Sequence, residues 1–363
     1  MKRWKEWSIG LIILTFVILL IAGAKWMNQP SKQIIPKALD SSGEWVREWK
    51  LKKNVSDGVV FGRGWLFLEE SWLRAYDLEG SLLFERQISM QDDWSVSERR
   101  LYIYNRPTGK IECLSPTYES LWAISFMRPI ESVFPYQGLL AVSAKSGQTS
   151  EQLMILDPQG GQVLANLSSP NTTLLLANRA ETGYFVSGVQ MKDGYWRNYI
   201  LHFDQAGNLL DDLKVNEPVI LATRMLDSQT MLIVSQGSLA LYQRESIMKR
   251  IELDVYPKAV EIQEMGIDCL LTDESHGELI RLDQDLNMVK QLDGLPSFTH
   301  LVLYQGYYYL WNEKEWGMVE IESMTYIPGT KLEEKIVALV PVEGELWLVH
   351  EYGIDLLYWR KEA

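Results

Sequence analysis

The chain has 363 residues, 47% of them hydrophobic, and a formal net charge of −13, enough length for one large domain or two ordinary ones around a substantial core. Past residue 37 it carries 29 basic against 47 acidic residues. That net charge of −18 is repelled by phosphate backbones and anionic headgroups, so nucleic acid is excluded as a partner.

Residues 1–7 form a short N-terminus containing Lys2, Arg3 and Lys5. Residues 8–27 are predicted to be a transmembrane signal-anchor helix. Residues 9–24 carry no charge, and Trp7 and Trp26 mark the two ends, where amphipathic rings favour the lipid–water boundary. The span is close to the roughly 20 residues that cross a bilayer. The leading basic cluster places the N-terminus inside and the remainder on the extracytoplasmic side. Ala22-Gly23-Ala24 also has the small-residue pattern of a signal-peptidase site, so the alternative is secretion after cleavage near Ala24. Residues 28–39 read as a linker and residues 40–363 as one domain.

That domain is repetitive. Eight apolar, aromatic-rich second strands recur: WLFLEE from Trp65, LYIYN from Leu101, LLAVSA from Leu139, YFVSGV from Tyr184, MLIVSQ from Met231, CLLTDE from Cys269, YYLWNE from Tyr308 and LWLVHE from Leu346. Eight third strands follow them and close at Asp77, Ser115, Asp157, Asp204, Gln243, Asp283, Glu322 and Arg360. The gaps are 38, 42, 47, 39, 40, 39 and 38 residues. Four short strands at a period near 40 predict an all-β fold, an eight-bladed β-propeller; seven blades is the alternative if one of the two loosest units, the third or fourth, is irregular. The last unit has no room for a fourth strand, while residues 40–51 form a turn and a fourth strand with no first three. The N-terminal strand is therefore predicted to complete the C-terminal blade and hide an open edge. The apolar runs LLLAN, VILAT and IVALV are expected to be inner strands buried on both faces. Cys113 and Cys269 lie in apolar strand-like runs and are expected to be buried small hydrophobes, not a disulfide.

The turns Asp77-Leu78-Glu79-Gly80, Asp157-Pro158-Gln159-Gly160-Gly161 and Asp204-Gln205-Ala206-Gly207 resemble the repeat of quinoprotein-like bacterial propellers, which places Asp at the end of the third strand and Gly in the turn. Trp45 and Trp122 are the nearest matches to the fourth-strand Trp of that repeat. The resemblance implies the fold. It also implies two kinds of relative, quinone-dependent dehydrogenases and a non-enzymatic scaffold of outer-membrane protein assembly. Asp and Gly have a structural explanation here: the carboxylate bonds its own turn and Gly supplies positive φ.

No catalytic, cofactor or metal site is expected. His202, His276, His300 and His350 share no ligand spacing, and the sequence contains no nucleophile elbow, P-loop or dinucleotide fingerprint. The loops between second and third strands, which lie on one face, instead carry aromatic and basic residues. Trp72, Arg106, Lys145, Trp196, Arg197, His276, Trp316, His350 and Tyr352 form the candidate binding rim, since aromatics with Arg anchor interfaces. The expected function is a membrane-anchored, non-catalytic binding or scaffolding module of the bacterial cell envelope with a protein or envelope-polymer partner. The alternative is a quinone-dependent envelope oxidoreductase.

Overall fold

The computed structural model describes residues 43–361 except 53–57, 78, 98, 137, 147–149, 193, 216–218, 228, 244–245, 264–265, 274, 330–331 and 343–344. The expected helix over residues 8–27 lies outside the described residues; among those described, no helix is long and apolar enough to cross a membrane.

The period-40 pattern resolves into eight four-stranded antiparallel sheets. Blades 1–7 take their strands in chain order and span residues 59–87, 92–125, 132–168, 172–215, 220–252, 257–295 and 300–328. Blade 8 is composite. Its first three strands are Ile336–Val342, Glu345–His350 and Gly353–Lys361, and its fourth is the N-terminal strand Gly43–Lys52. Gly43 lies opposite Lys361 and Lys52 opposite Gly353, so the two chain ends share one ladder. The eight-blade count and the split blade both agree with the sequence reading.

First strands of neighbouring blades contact one another around the ring, which makes them the innermost. Side-chain bonds tie this inner ring together. Asn178 of blade 4 donates to the Thr223 hydroxyl of blade 5 at 2.7 Å, and the Tyr136 hydroxyl of blade 3 reaches the Thr223 carbonyl at 2.5 Å. The inner strands are not buried on both faces as their apolar runs suggest. Leu175 and Leu221 are exposed, because an innermost strand packs between blades on one side and turns to the central opening on the other. The doubly buried strands are the second ones. In Gly266–Thr272 every residue is buried, covered by neighbouring strands on both sides and by blades above and below.

The turns behave as their residues dictate. Asp204 Oδ1 accepts the amides of Ala206 and Asn208 at 2.9 and 2.8 Å, and Asp283 Oδ1 those of Asp285 and Asn287 at the same distances. Gly161 has φ +69° and lies flat under Trp122, where a Cβ would come within 2.7 Å of the indole. Blade 6 has Leu286 in the left-handed position instead, at φ +57°, with its side chain driven into the core between blades 5 and 6. Leu286→Ala should therefore cost about 3 kcal/mol through lost packing. Leu286→Gly should cost no more than that, because relief of ~1 kcal/mol of left-handed strain offsets the extra freedom of the unfolded chain. Urea unfolding of both variants decides it: a Gly variant far less stable than the Ala variant means the backbone there carries no such strain.

Candidate functional site

Antiparallel alternation sends every second-to-third-strand loop to one face of the ring. On that face blade 4 differs from the rest. Its second and third strands, Gly183–Lys192 and Tyr195–Asp204, have ten residues each, the longest of their kind among the described strands. The flanking strands stop short of the tip: the first strand begins opposite Gln190 and the fourth ends opposite Asn198. Among the described residues, 191–192 and 195–197 thus continue past the flanking strands as a two-stranded ribbon, projecting on the order of 10 Å at ~3.3 Å per residue. This extension accounts for the 47-residue gap in the repeat. Met191 pairs across the ribbon with Trp196, and Lys192 with Tyr195. Tyr195 is 71% exposed, Trp196 65% and Met191 51%, so three large apolar side chains stand in solvent at one tip.

The other predicted rim residues separate into two groups. Tyr352 and His276 are exposed on the same face, and Asp273 Oδ1 fixes the His276 loop by accepting its amide at 2.8 Å. Arg106 is exposed and paired with Asp93. Trp72 is half-buried, with the Arg74 guanidinium 5.5 Å from its ring centroid, and Arg197 is half-buried at the base of the blade 4 ribbon. Lys145 stands opposite Glu151 in the blade 3 hairpin. Trp316 and His350, by contrast, are not on the surface. Trp316 starts the third strand of blade 7, but its ring turns into the core shared with blade 8 and is 1% exposed. His350 is fully buried beside Asp355. Neither can meet a partner in this conformation. Trp316 opens a five-residue third strand and is still inside the blade stack, whereas Tyr195 opens the ten-residue strand of blade 4 and has left it.

The buried ionic groups are structural. Asp355 is almost fully buried, and Nε and Nη2 of Arg47 converge on its Oδ2 at 2.6 and 2.5 Å, while His350 Nε2 lies 3.6 Å from Oδ1. Burial pushes the Asp355 carboxyl up, but His350 and Arg47 outweigh it and hold the group below the usual range. Asp268 in blade 6 shifts the other way. Burial raises its carboxyl despite Gln263, which donates at 2.9 Å, and Arg281 at 3.6 Å. Burial lifts the Cys113 thiol to about 11 and that of Cys269 to about 12, so neither supplies a thiolate near neutrality. Both are free and buried, as their apolar runs predict. Among the described residues no group of three or more His, Cys, Asp or Glu side chains is placed to hold a metal ion.

The profile of a family of unknown function (DUF5711) matches residues 42–358, which is the ring from its closing strand to blade 8. No curated protein matches the chain by sequence. Among solved structures, the chain is similar to the computationally designed Ika8 protein (TM-score 0.58, 10% identity, covering 86% of this chain and 98% of that one). It is likewise similar to Sqt1 of Saccharomyces cerevisiae (0.55, 10%, 89% and 100%). A third is BamB of Moraxella catarrhalis (0.50, 13%, 88% and 99%). At these identities the likeness establishes the eight-bladed fold and nothing about chemistry.

Proposed function

We propose that this chain, which belongs to the DUF5711 family, is a non-catalytic binding or scaffolding module held on the extracytoplasmic side of a bacterial membrane by residues 8–27, and that it engages a protein partner through the blade 4 ribbon. The observation that carries the reading is the exposure of Tyr195, Trp196 and Met191 on a projecting two-stranded tip. Rigid aromatics contribute large contact area at low entropic cost, and interface anchors are enriched in Trp, Tyr and Arg. The Asp-and-Gly turns support placing the repeat in the quinoprotein-like class. BamB and Sqt1 share the fold with no sequence closeness, so they support a scaffold of this shape without naming its partner.

Topology gives the proposal an orientation. Fourth strands begin at the face opposite the ribbon, and Gly43 begins one of them. A membrane segment ahead of residue 43 would lead into the ring at that opposite face, which supports a ribbon turned away from the bilayer. Exposed apolar pairs open several fourth strands along that same edge, Leu82–Leu83, Leu209–Leu210 and Met288–Val289 among them, which suits a rim turned toward lipid.

The test uses the full chain expressed in its own envelope with a photoreactive amino acid at position 196 or, as a control, at position 163 on an outer strand. Position 196 should give a discrete heavier product whose yield falls at least about tenfold when Tyr195 and Met191 are both changed to Ser. The melting temperature should be unchanged, since the tip lies outside the core. No product at 196, or equal products at 196 and 163, removes the ribbon from the proposal.

A further inference from the structure

The turns between third and fourth strands close the seams between blades. Each packs against the fourth strand of the preceding blade. Tyr118 of blade 2 stacks on Phe84 of blade 1 with centroids 4.7 Å apart. In the next seam the Trp122 indole of blade 2 donates to the Pro158 carbonyl of blade 3 at 3.1 Å. Lys249 of blade 5 bonds Asn287 of blade 6 at 2.6 Å, and Lys290 of blade 6 bonds the Glu322 carbonyl of blade 7 at 2.6 Å. In blades 1–4, 6 and 7 four to six residues separate these strands, whereas in blade 5 the third strand ends at Gln243 and the fourth begins at Ser246. In the seam between blades 4 and 5 a cleft of about 320 Å³ opens on the face opposite the ribbon.

The walls of the cleft are specific. Phe185, His202 and Asp211 form one cross-strand row over the second, third and fourth strands of blade 4. The His202 imidazole lies face to face with Phe185, centroids 4.3 Å apart and planes 6° apart, and its Nε2 is 3.3 Å from the Thr182 hydroxyl. Ile200 and Leu213 of blade 4 and Met231 and Tyr242 of blade 5 supply the apolar floor. Asp211 lines the cleft with one oxygen taken by the Asp212 amide at 2.8 Å and with no cation paired to it among the described residues. Burial keeps His202 below the usual imidazole range, so near neutrality it does not offset that charge.

We propose that this seam is a binding site for a small organic ammonium compound with an aromatic or apolar body. The apolar floor takes the body and the Asp211 carboxylate takes the ammonium. The proposal does not depend on the ribbon or on the membrane segment.

The test titrates the full chain, by calorimetry, with phenethylamine, 2-phenylethanol and 3-phenylpropionate, which share a ring and differ in head group. Phenethylamine should bind about tenfold or more tightly than the alcohol, a discrimination of about 1.4 kcal/mol, and the carboxylate should not saturate. Asp211→Asn should erase the preference for the amine while leaving alcohol binding in place. Leu213→Trp, which fills the cleft, should abolish both. Absence of saturable amine binding, equal binding of amine and carboxylate, or an unchanged preference in Asp211→Asn overturns the assignment.

Discussion

A chain lacking residues 43–52 is expected to lose cooperative folding as a monomer. Without that strand blade 8 keeps three strands, and Gly353–Lys361 becomes an open edge with its ladder groups unpaired along the nine-position register. The same deletion takes buried Leu51 from the core it shares with Trp65, Trp347 and Ile354, and removes Arg47 from Asp355. These losses together reach at least roughly 5 kcal/mol, comparable to the whole net stability of an ordinary domain. The open edge then pairs with other copies. Size-exclusion chromatography with light scattering should show oligomers or aggregate, and the thermal transition should broaden or vanish. Adding the peptide of residues 43–52 in trans should restore a monomer with a sharp transition. A truncated chain that stays monomeric and melts within a few degrees of the parent means blade 8 does not need its fourth strand.

Asp355→Asn should cost about 3 kcal/mol at pH 7, because it leaves the half-buried Arg47 guanidinium facing a neutral group in the wall of the closing blade. The pH dependence distinguishes charge from packing. The folded-state pKa of Asp355 is depressed: burial raises it, but the neighbouring His350 and the bond from Arg47 prevail. A depressed carboxyl contributes stability that is fully present above the unfolded value, about 3.9, and is lost as pH falls through the folded value. The gap between parent and Asp355→Asn, measured by urea unfolding, should therefore be widest near neutrality and shrink below about pH 4. A gap of constant size across that range assigns the cost to packing alone. Asp268 has the opposite sign. Its raised carboxyl is a burden when charged, so Asp268→Asn should be far better tolerated than Asp355→Asn at pH 7.

Much of the ring is legible in the residues. The recurrence of second strands, the Asp-led turns and the orphan fourth strand ahead of blade 1 all follow from spacing, because each blade solves the same burial problem with the same order of apolar and polar residues. The 47-residue gap, which in the sequence left a seven-blade count open, is extra chain in the blade 4 hairpin, and Trp196 was found by its place in that hairpin. The inner strands were misjudged from LLLAN and VILAT because an apolar run looks the same whether its second face meets a sheet or the ring's central opening. His202 was passed over because the four histidines share no ligand spacing; that it lines a seam with residues of the next blade depends on how the blades pack.

The sequence by itself pointed to eight blades with seven left open, and determined the four-strand order within each and the joining of the two ends, since these are set by local periodicity and by the need to leave no open strand edge; the structure settled the count at eight. Only the tertiary structure decided which aromatic residues face a partner. Trp196 and Trp316 both stand near the start of a third strand, yet one is in solvent and the other in the core, because hairpin length relative to the neighbouring blades sets exposure. The cleft beside His202 is likewise a product of assembly, because its walls come from two blades.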